Sequence, residues 1–229
     1  MLQAKKLSKY YNGILALNDL SFSVAPGEIF CLLGQNGAGK TTTINIFLGL
    51  LEPSSGEAYI DDVLITNTSN RSSIAYIPEI VQLYGNLTGL ENLDFFSRLA
   101  GFKYSKEKLH AHLEQVNLKE EVYEKRLSTY SKGMRQKVGI AIALAKNASY
   151  ILMDEPTSGL DPKASMEFAK TCKELSAKGV GVLMATHDIF NAANIGARIG
   201  IMKEGAIVHI AETKNISAQE LQELYVKTI

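Results

Sequence analysis

The chain has 229 residues, 46% of them hydrophobic, and its 24 basic and 24 acidic side chains leave no formal net charge. That length allows one large domain or two small ones, and the apolar share is ample for a sizeable core. The charge balance offers no basic footprint for nucleic acid or for an anionic membrane surface, so no nucleic-acid partner is expected.

In chain order, residues 2–9 and 17–24 read as strands. From Asn18 to Val24 apolar and polar residues alternate, so one face is expected to be solvated. Tyr10 and Tyr11 fall between these strands, in a polar turn with Asn12 and Gly13. Pro26 and Gly27 mark a tight turn into the apolar run 29–33, a buried strand. A glycine-rich stretch follows, then a helix over 43–48 and a loop over 52–56. Residues 57–65 return as strand, with Asp61 and Asp62 at the tip of a possible hairpin, and 66–73 form a polar connector. Residues 74–77 are another buried strand, stopped by Pro78.

The pattern then turns helical, and a helical subdomain is expected over about 79–146. Thr88 with Glu91 three residues later resembles a capping box opening a helix to Leu99. Ser105 opens a second helix to about Val116, 119–125 suggest a short one, and Ser131 opens a long one to about Lys146. Residues 150–153 are a strand ending in Asp154 and Glu155. Pro162 starts a helix through Ala177. Residues 181–185 are a buried strand ending at Thr186 and His187. Strands at 199–202 and 206–211 and a helix at 217–227 complete the chain. Strands alternating with helices predict an α/β fold with a mostly parallel sheet.

The chemistry concentrates at strand ends. Gly34, Gln35, Asn36, Gly37, Ala38, Gly39, Lys40, Thr41 and Thr42 fit G-x-x-x-x-G-K-[ST], between a buried strand and a helix. Glycines let backbone N–H groups curl around a polyphosphate, and the helix turns its positive end to the anion. Lys40 would reach the outer phosphates, and the Thr41 hydroxyl would ligate Mg²⁺. Asp154 and Glu155 end a buried strand. Beside a phosphate loop, one carboxylate can help to hold Mg²⁺ and the next can orient or deprotonate water. His187 can hydrogen-bond the outermost phosphate or that water. Ser131, Lys132 and Gly133 start a helix that is either simply capped or a second anion-binding end.

Cys31 and Cys172 form no C-x-x-C pattern, and Cys31 reads as a core residue, so a reducing compartment is expected. Residues 1–9 carry three lysines with no apolar stretch behind them, so no signal peptide is expected. The apolar runs are too short to span a bilayer, so at a membrane another chain would supply the membrane part.

Taken together, Tyr11, residues 34–42, Tyr130-Ser131-Lys132-Gly133-Met134, Asp154-Glu155, Ser158-Gly159-Leu160-Asp161 and Thr186-His187 resemble, in order and spacing, the ATPase domains of ABC transporters. The resemblance covers essentially the whole chain. It implies the P-loop ABC-ATPase fold, with a mostly parallel core sheet, an N-terminal antiparallel β subdomain and an α-helical subdomain insert. It also implies a cytoplasmic ATPase subunit, peripheral at the membrane, that binds ATP and Mg²⁺ and forms a head-to-tail homodimer. Tyr11, or less aptly Tyr10, would stack on adenine. Residues 34–42 would hold the phosphates, and Thr41, Asp154 and Glu79 the Mg²⁺. Glu155 would be the general base, assisted by Lys40 and His187. Ser131, Lys132, Gly133 and Met134 would contact the partner's nucleotide, and Ser158 to Asp161 would cross the dimer interface. A separate transmembrane permease would dock near residues 79–92.

Two motifs depart from the family pattern. Glu79 stands where Gln is usual, which adds negative charge near the γ-phosphate. The signature reads Tyr-Ser-Lys-Gly-Met instead of Leu-Ser-Gly-Gly-Gln, so Lys132 either adds a cation at the anion-binding end or points to solvent. Both departures, with residues 84–93, resemble the ABC-2-type exporter branch. Two alternatives stay open: a non-transport ABC ATPase working on another complex, and a nucleotide-gated binding module with little hydrolysis.

Overall fold

A computed structural model describes residues 1–66, 72–196 and 198–229. Strands β1 (Leu2–Tyr11) and β2 (Ile14–Val24) form a hairpin closed by Asn12 and Gly13. Both turn residues have positive φ, 49° and 84°, as a two-residue type I′ turn requires. Tyr10 and Tyr11 are therefore not turn residues: they end β1 and pair with Leu15 and Ile14. The same turn chemistry recurs at Asp61-Asp62, between β4 (Ser55–Ile60) and β5 (Val63–Leu64), and at Glu204-Gly205, between β9 (Arg198–Lys203) and β10 (Ala206–Glu212). Strands β1, β2, β4 and β5 make an antiparallel sheet in the order β2-β1-β4-β5. Within the connector expected at 66–73, residues 67–71 lie outside the described residues.

The second sheet has the order β10-β9-β3-β8-β7-β6, with β3 (Ile29–Leu33), β6 (Ile74–Ile77), β7 (Tyr150–Asp154) and β8 (Gly181–Thr186). All its neighbours run parallel except the β9–β10 hairpin. A sheet covered on both faces needs strands that are apolar throughout. In β3 all five residues are buried, and alternate side chains feed two cores. Ile29, Cys31 and Leu33 enter the core shared with the helices, whereas Phe30 and Leu32 enter the core under the antiparallel sheet and α1 (Lys40–Phe47). Residues of β7 and β8 divide the same way. Each fully buried side chain of this size stabilises the fold by about 1.5–3 kcal/mol.

Between β6 and β7 the chain forms α2 (Gly89–Leu99), α3 (Lys106–Gln115) and α4 (Lys132–Ala145). The Thr88–Glu91 capping box is present in full, and Ser105 and Ser131 each accept a hydrogen bond from the backbone three residues on. The helix expected over 119–125 is only a single 3₁₀ turn, Glu120–Val122, with none of its residues buried. Helix α5 (Pro162–Ala177) is capped by Asp161. Helix α6 (Ile189–Ile195), capped by Asp188, is an element that the periodicity did not reveal. Helix α7 (Ala218–Thr228) closes the chain behind a second capping box, Ser217 with Glu220.

Candidate nucleotide site

The carboxyl ends of β3, β6, β7 and β8 meet on one side of the parallel sheet, where ligands gather in such folds. The Gly34 amide donates to the Thr186 carbonyl (3.2 Å) and the Glu155 amide to the Ala185 carbonyl (2.9 Å), tying the three loops together. A cavity of about 420 Å³ opens there, lined by Asn36, Gly37, Gly39, Lys40, Thr41, Thr42, Glu79, Asp154 and Glu155, with Ala16 from β2. Ala16 carries no local signal in the sequence. It arrives because the Gly39 loop packs under β2 and the β9–β10 turn, where the Gly205 amide donates to the Ala38 carbonyl (3.2 Å).

Gly39 immediately precedes α1 with φ 101° and supplies no capping side chain. The first amides of α1 therefore lack a protein cap and face the cavity, an arrangement suited to an anion. Lys40 is 5% exposed, and its ammonium donates to the carbonyls of Gly34 (2.7 Å) and Gln35 (3.1 Å). Burial pushes its pKa down, while the charges of Glu155 and Asp154 oppose that shift.

The two carboxylates behave differently. Asp154 Oδ2 accepts from the Thr41 hydroxyl (2.8 Å), while its buried Oδ1 has no hydrogen-bond partner. Burial raises its carboxyl pKa above the usual range; the Glu155 and Glu79 charges add to this, and the Thr41 hydrogen bond and Lys40 work against it. Glu155 has φ 46°, a left-handed backbone that costs about 1–3 kcal/mol and is retained mainly at functional sites. Its Oε2 accepts from the His187 amide (3.3 Å) and lies 2.9 Å from His187 Nδ1. Its Oε1, also buried and without a hydrogen-bond partner, lies 3.7 Å from the Lys40 ammonium. One oxygen is thus held by His187, and the other faces the Lys40 ammonium without a hydrogen bond.

Glu79 lies at the rim of the cavity. The Ser158 hydroxyl donates to its Oε1 (2.7 Å), and the Lys132 ammonium lies 3.9 Å from the same oxygen. Lys132 therefore neither points simply to solvent nor stands apart from this site. Gln136, fully buried on α4, donates to the carbonyls of Pro78 (3.3 Å) and Glu79 (3.2 Å). A lone amide inside an apolar helix face was the available sequence signal for that anchor. Ser131, Gly133 and Met134 are at the start of α4 and do not line this protomer's cavity. Asp161 is occupied as the α5 cap (2.9 Å to the Ala164 amide), and Gly159 has φ 66°. Tyr11 is exposed, outside the cavity lining, with the Lys9 ammonium 5.4 Å from its ring centre.

The family model for the ABC transporter matches residues 17–158. The chain belongs to that family. Among its relatives in Bacillus subtilis, the ABC transporter ATP-binding protein YhcH is 35% identical over 96% of this chain and 72% of its own length. The linearmycin resistance ATP-binding protein LnrL is 33% identical over 96% of this chain and 71% of its own. Among solved structures, the dimeric post-hydrolysis state of the ATP-binding cassette MJ0796 with ADP and Pi superposes with a TM-score of 0.79. It is 30% identical and covers 93% of this chain and 99% of that one.

The protein is thus the ATP-binding, ATP-hydrolysing subunit of an ABC transporter, and the two sheets and helical insert are those of the ABC-ATPase fold. The cavity chemistry also fits a magnesium ion. An unpartnered buried carboxylate oxygen on Asp154 and the adjacent Thr41 hydroxyl are hard oxygen donors, the kind this ion takes alongside phosphate oxygens and water.

Proposed function

We propose that ATP binds with its phosphates in the cavity at Lys40, that Glu155 is the general base, and that two copies of the chain close around two nucleotides to drive a separate membrane protein. The observation that carries the catalytic part is the Glu155 carboxylate, with one oxygen held by His187 and the other buried without a hydrogen-bond partner. That oxygen takes a proton from water as the water oxygen bonds to the γ-phosphorus. The bond from that phosphorus to the β–γ bridging oxygen breaks, and ADP carries the electron pair away. Lys40 and the α1 amides stabilise the charge on the phosphate oxygens. Magnesium, held by Thr41 and Asp154, would neutralise phosphate charge. Tyr11 would stack on adenine beyond the cavity mouth. Residues 131–134 would contact the partner's nucleotide, and residues 158–161 would cross the interface.

The name of LnrL, a resistance protein, supports export as the direction of transport. No helix among the described residues is long and apolar enough to cross a membrane. The proposed path is a transmembrane permease, with this chain at the cytoplasmic face. The docking region we favour is 79–92. A groove of about 410 Å³ there is lined by Ile80, Leu83, Gly85, Leu127 and Arg135, and the exposed rings of Tyr84 and Phe95 meet edge to face at 5.1 Å. The catalytic proposal is tested by phosphate release. The wild type should turn over ATP, and Glu155→Gln should bind ATP yet lose on the order of 100-fold or more in rate. Undiminished turnover by that variant would remove Glu155 from the mechanism.

A further inference from the structure

The cavity sets three carboxylates, Glu79, Asp154 and Glu155, against the single ammonium of Lys40. A triphosphate brings several more negative charges to the same space. On charge alone, Glu79 is a liability at the rim, and its negative charge is already felt by Asp154.

Lys132 stands 53 positions further along the chain, at the first residue of α4. A cation there works against the helix dipole, and the first turn of α4 holds no acidic residue to offset it. Its ammonium reaches across to Glu79 Oε1, which Ser158 also holds. Its ammonium lies 3.8 Å from where a Cβ on Gly159 would stand, an ordinary contact distance beside Ser158. Gln136 pins the Glu79 backbone to the same helix.

We propose that Lys132 is a positioning residue: with Ser158 it holds Glu79 at the rim, within its own protomer, and keeps that carboxylate from swinging toward the phosphates. The two departures from the family pattern then compensate each other. This inference rests on the nucleotide reading of the cavity and adds a role in cis to a residue otherwise expected to act on the partner's nucleotide.

The test is ATP binding in EDTA by calorimetry, at concentrations where light scattering shows monomer. The wild type, Lys132→Gln, Glu79→Gln, the double variant and Lys132→Arg are compared. Two independent charges would act additively on the ligand; a positional role makes them couple. Lys132→Gln should weaken binding in the Glu79 chain and do little in the Glu79→Gln chain, a coupling factor of about 2–5, the range for partly exposed ion pairs. Lys132→Arg should retain wild-type affinity, and the coupling should fade toward one in high salt. Equal losses in both backgrounds, or a loss seen only where dimers form, would overturn the proposal. A wild type that binds no ATP at all would instead sink the nucleotide reading beneath it. Lys132 is partly exposed, and matching thermal midpoints across the set confirm that folding is unaffected.

Discussion

Two glycines of the phosphate loop sharpen the account, because they share a backbone conformation and differ in surroundings. Gly37 has φ 85° and Gly39 has φ 101°. An alanine in either must adopt a left-handed backbone, costing about 1–2 kcal/mol. Restricting the unfolded chain returns about 0.4–1 kcal/mol. A Cβ on Gly37 meets nothing within 4 Å and projects into open space, so Gly37→Ala should destabilise by only about 1 kcal/mol. A Cβ on Gly39 would sit 2.7 Å from both the Ala16 carbonyl oxygen and Leu17 Cδ2. Rigid strand backbone stands on that side, so overpacking adds about 1–3 kcal/mol and the total reaches about 2–4 kcal/mol. At this chain length that lowers the thermal midpoint by roughly 4–16 °C. Urea titration of both variants measures the difference directly. ATP binding should rank them the other way relative to stability: Gly37→Ala intrudes on the cavity and loses affinity out of proportion to its small stability cost. Equal stabilities, or Gly37→Ala as the less stable variant, would refute the packing of the loop beneath β2.

Other predictions follow from buried polar groups. His112 is buried against Tyr104 with both ring nitrogens unpartnered, and burial, with a smaller contribution from Lys108, holds its pKa below the ordinary value. The unfolded chain therefore binds its proton first, so stability is full above about pH 6.5 and is lost as pH falls below it. His112→Leu should flatten the acid limb of unfolding free energy against pH, measured by denaturant titration, by up to about 1.4 kcal/mol per pH unit, and an unchanged slope would contradict this. Asp154→Asn should remove the magnesium dependence of hydrolysis along with most of the rate. Its apo fold should hold at neutral pH, because the native carboxyl, with its raised pKa, is costly to keep charged there. A variant that still responds to magnesium like the wild type would take Asp154 out of the metal site.

Much of this was legible from local chemistry. The apolar run 29–33 was recognisable as a two-faced buried strand because burial on both faces leaves no room for alternation. Thr88, Ser105 and Ser131 lie where helices begin because caps answer a strictly local need of the backbone, and Pro162 marked the start of α5 in the same way. The phosphate loop was legible because its spacing is a backbone requirement. Harder cases had physical reasons. Residues 10–11 and 14–15 extend the first hairpin, yet they are largely exposed and show no clean alternation; only Asn12-Gly13 marked the turn. Helix α6 has seven residues, of which Ala192 and Ile195 alone are buried, too little for a period to show. The contacts of Lys132 with Glu79 and of Ala16 with the cavity join elements far apart in sequence, and no local pattern encodes them.

The central claim is that nucleotide is enclosed between two copies of this chain and that hydrolysis lets them separate. Sedimentation of Glu155→Gln, with ATP and with ADP, tests it most directly. The account predicts a dimer with ATP and a monomer with ADP, and Ser131→Arg at the start of α4 should abolish the dimer while ATP still binds. An ATP-loaded variant that stays monomeric at concentrations well above its ATP dissociation constant would contradict it.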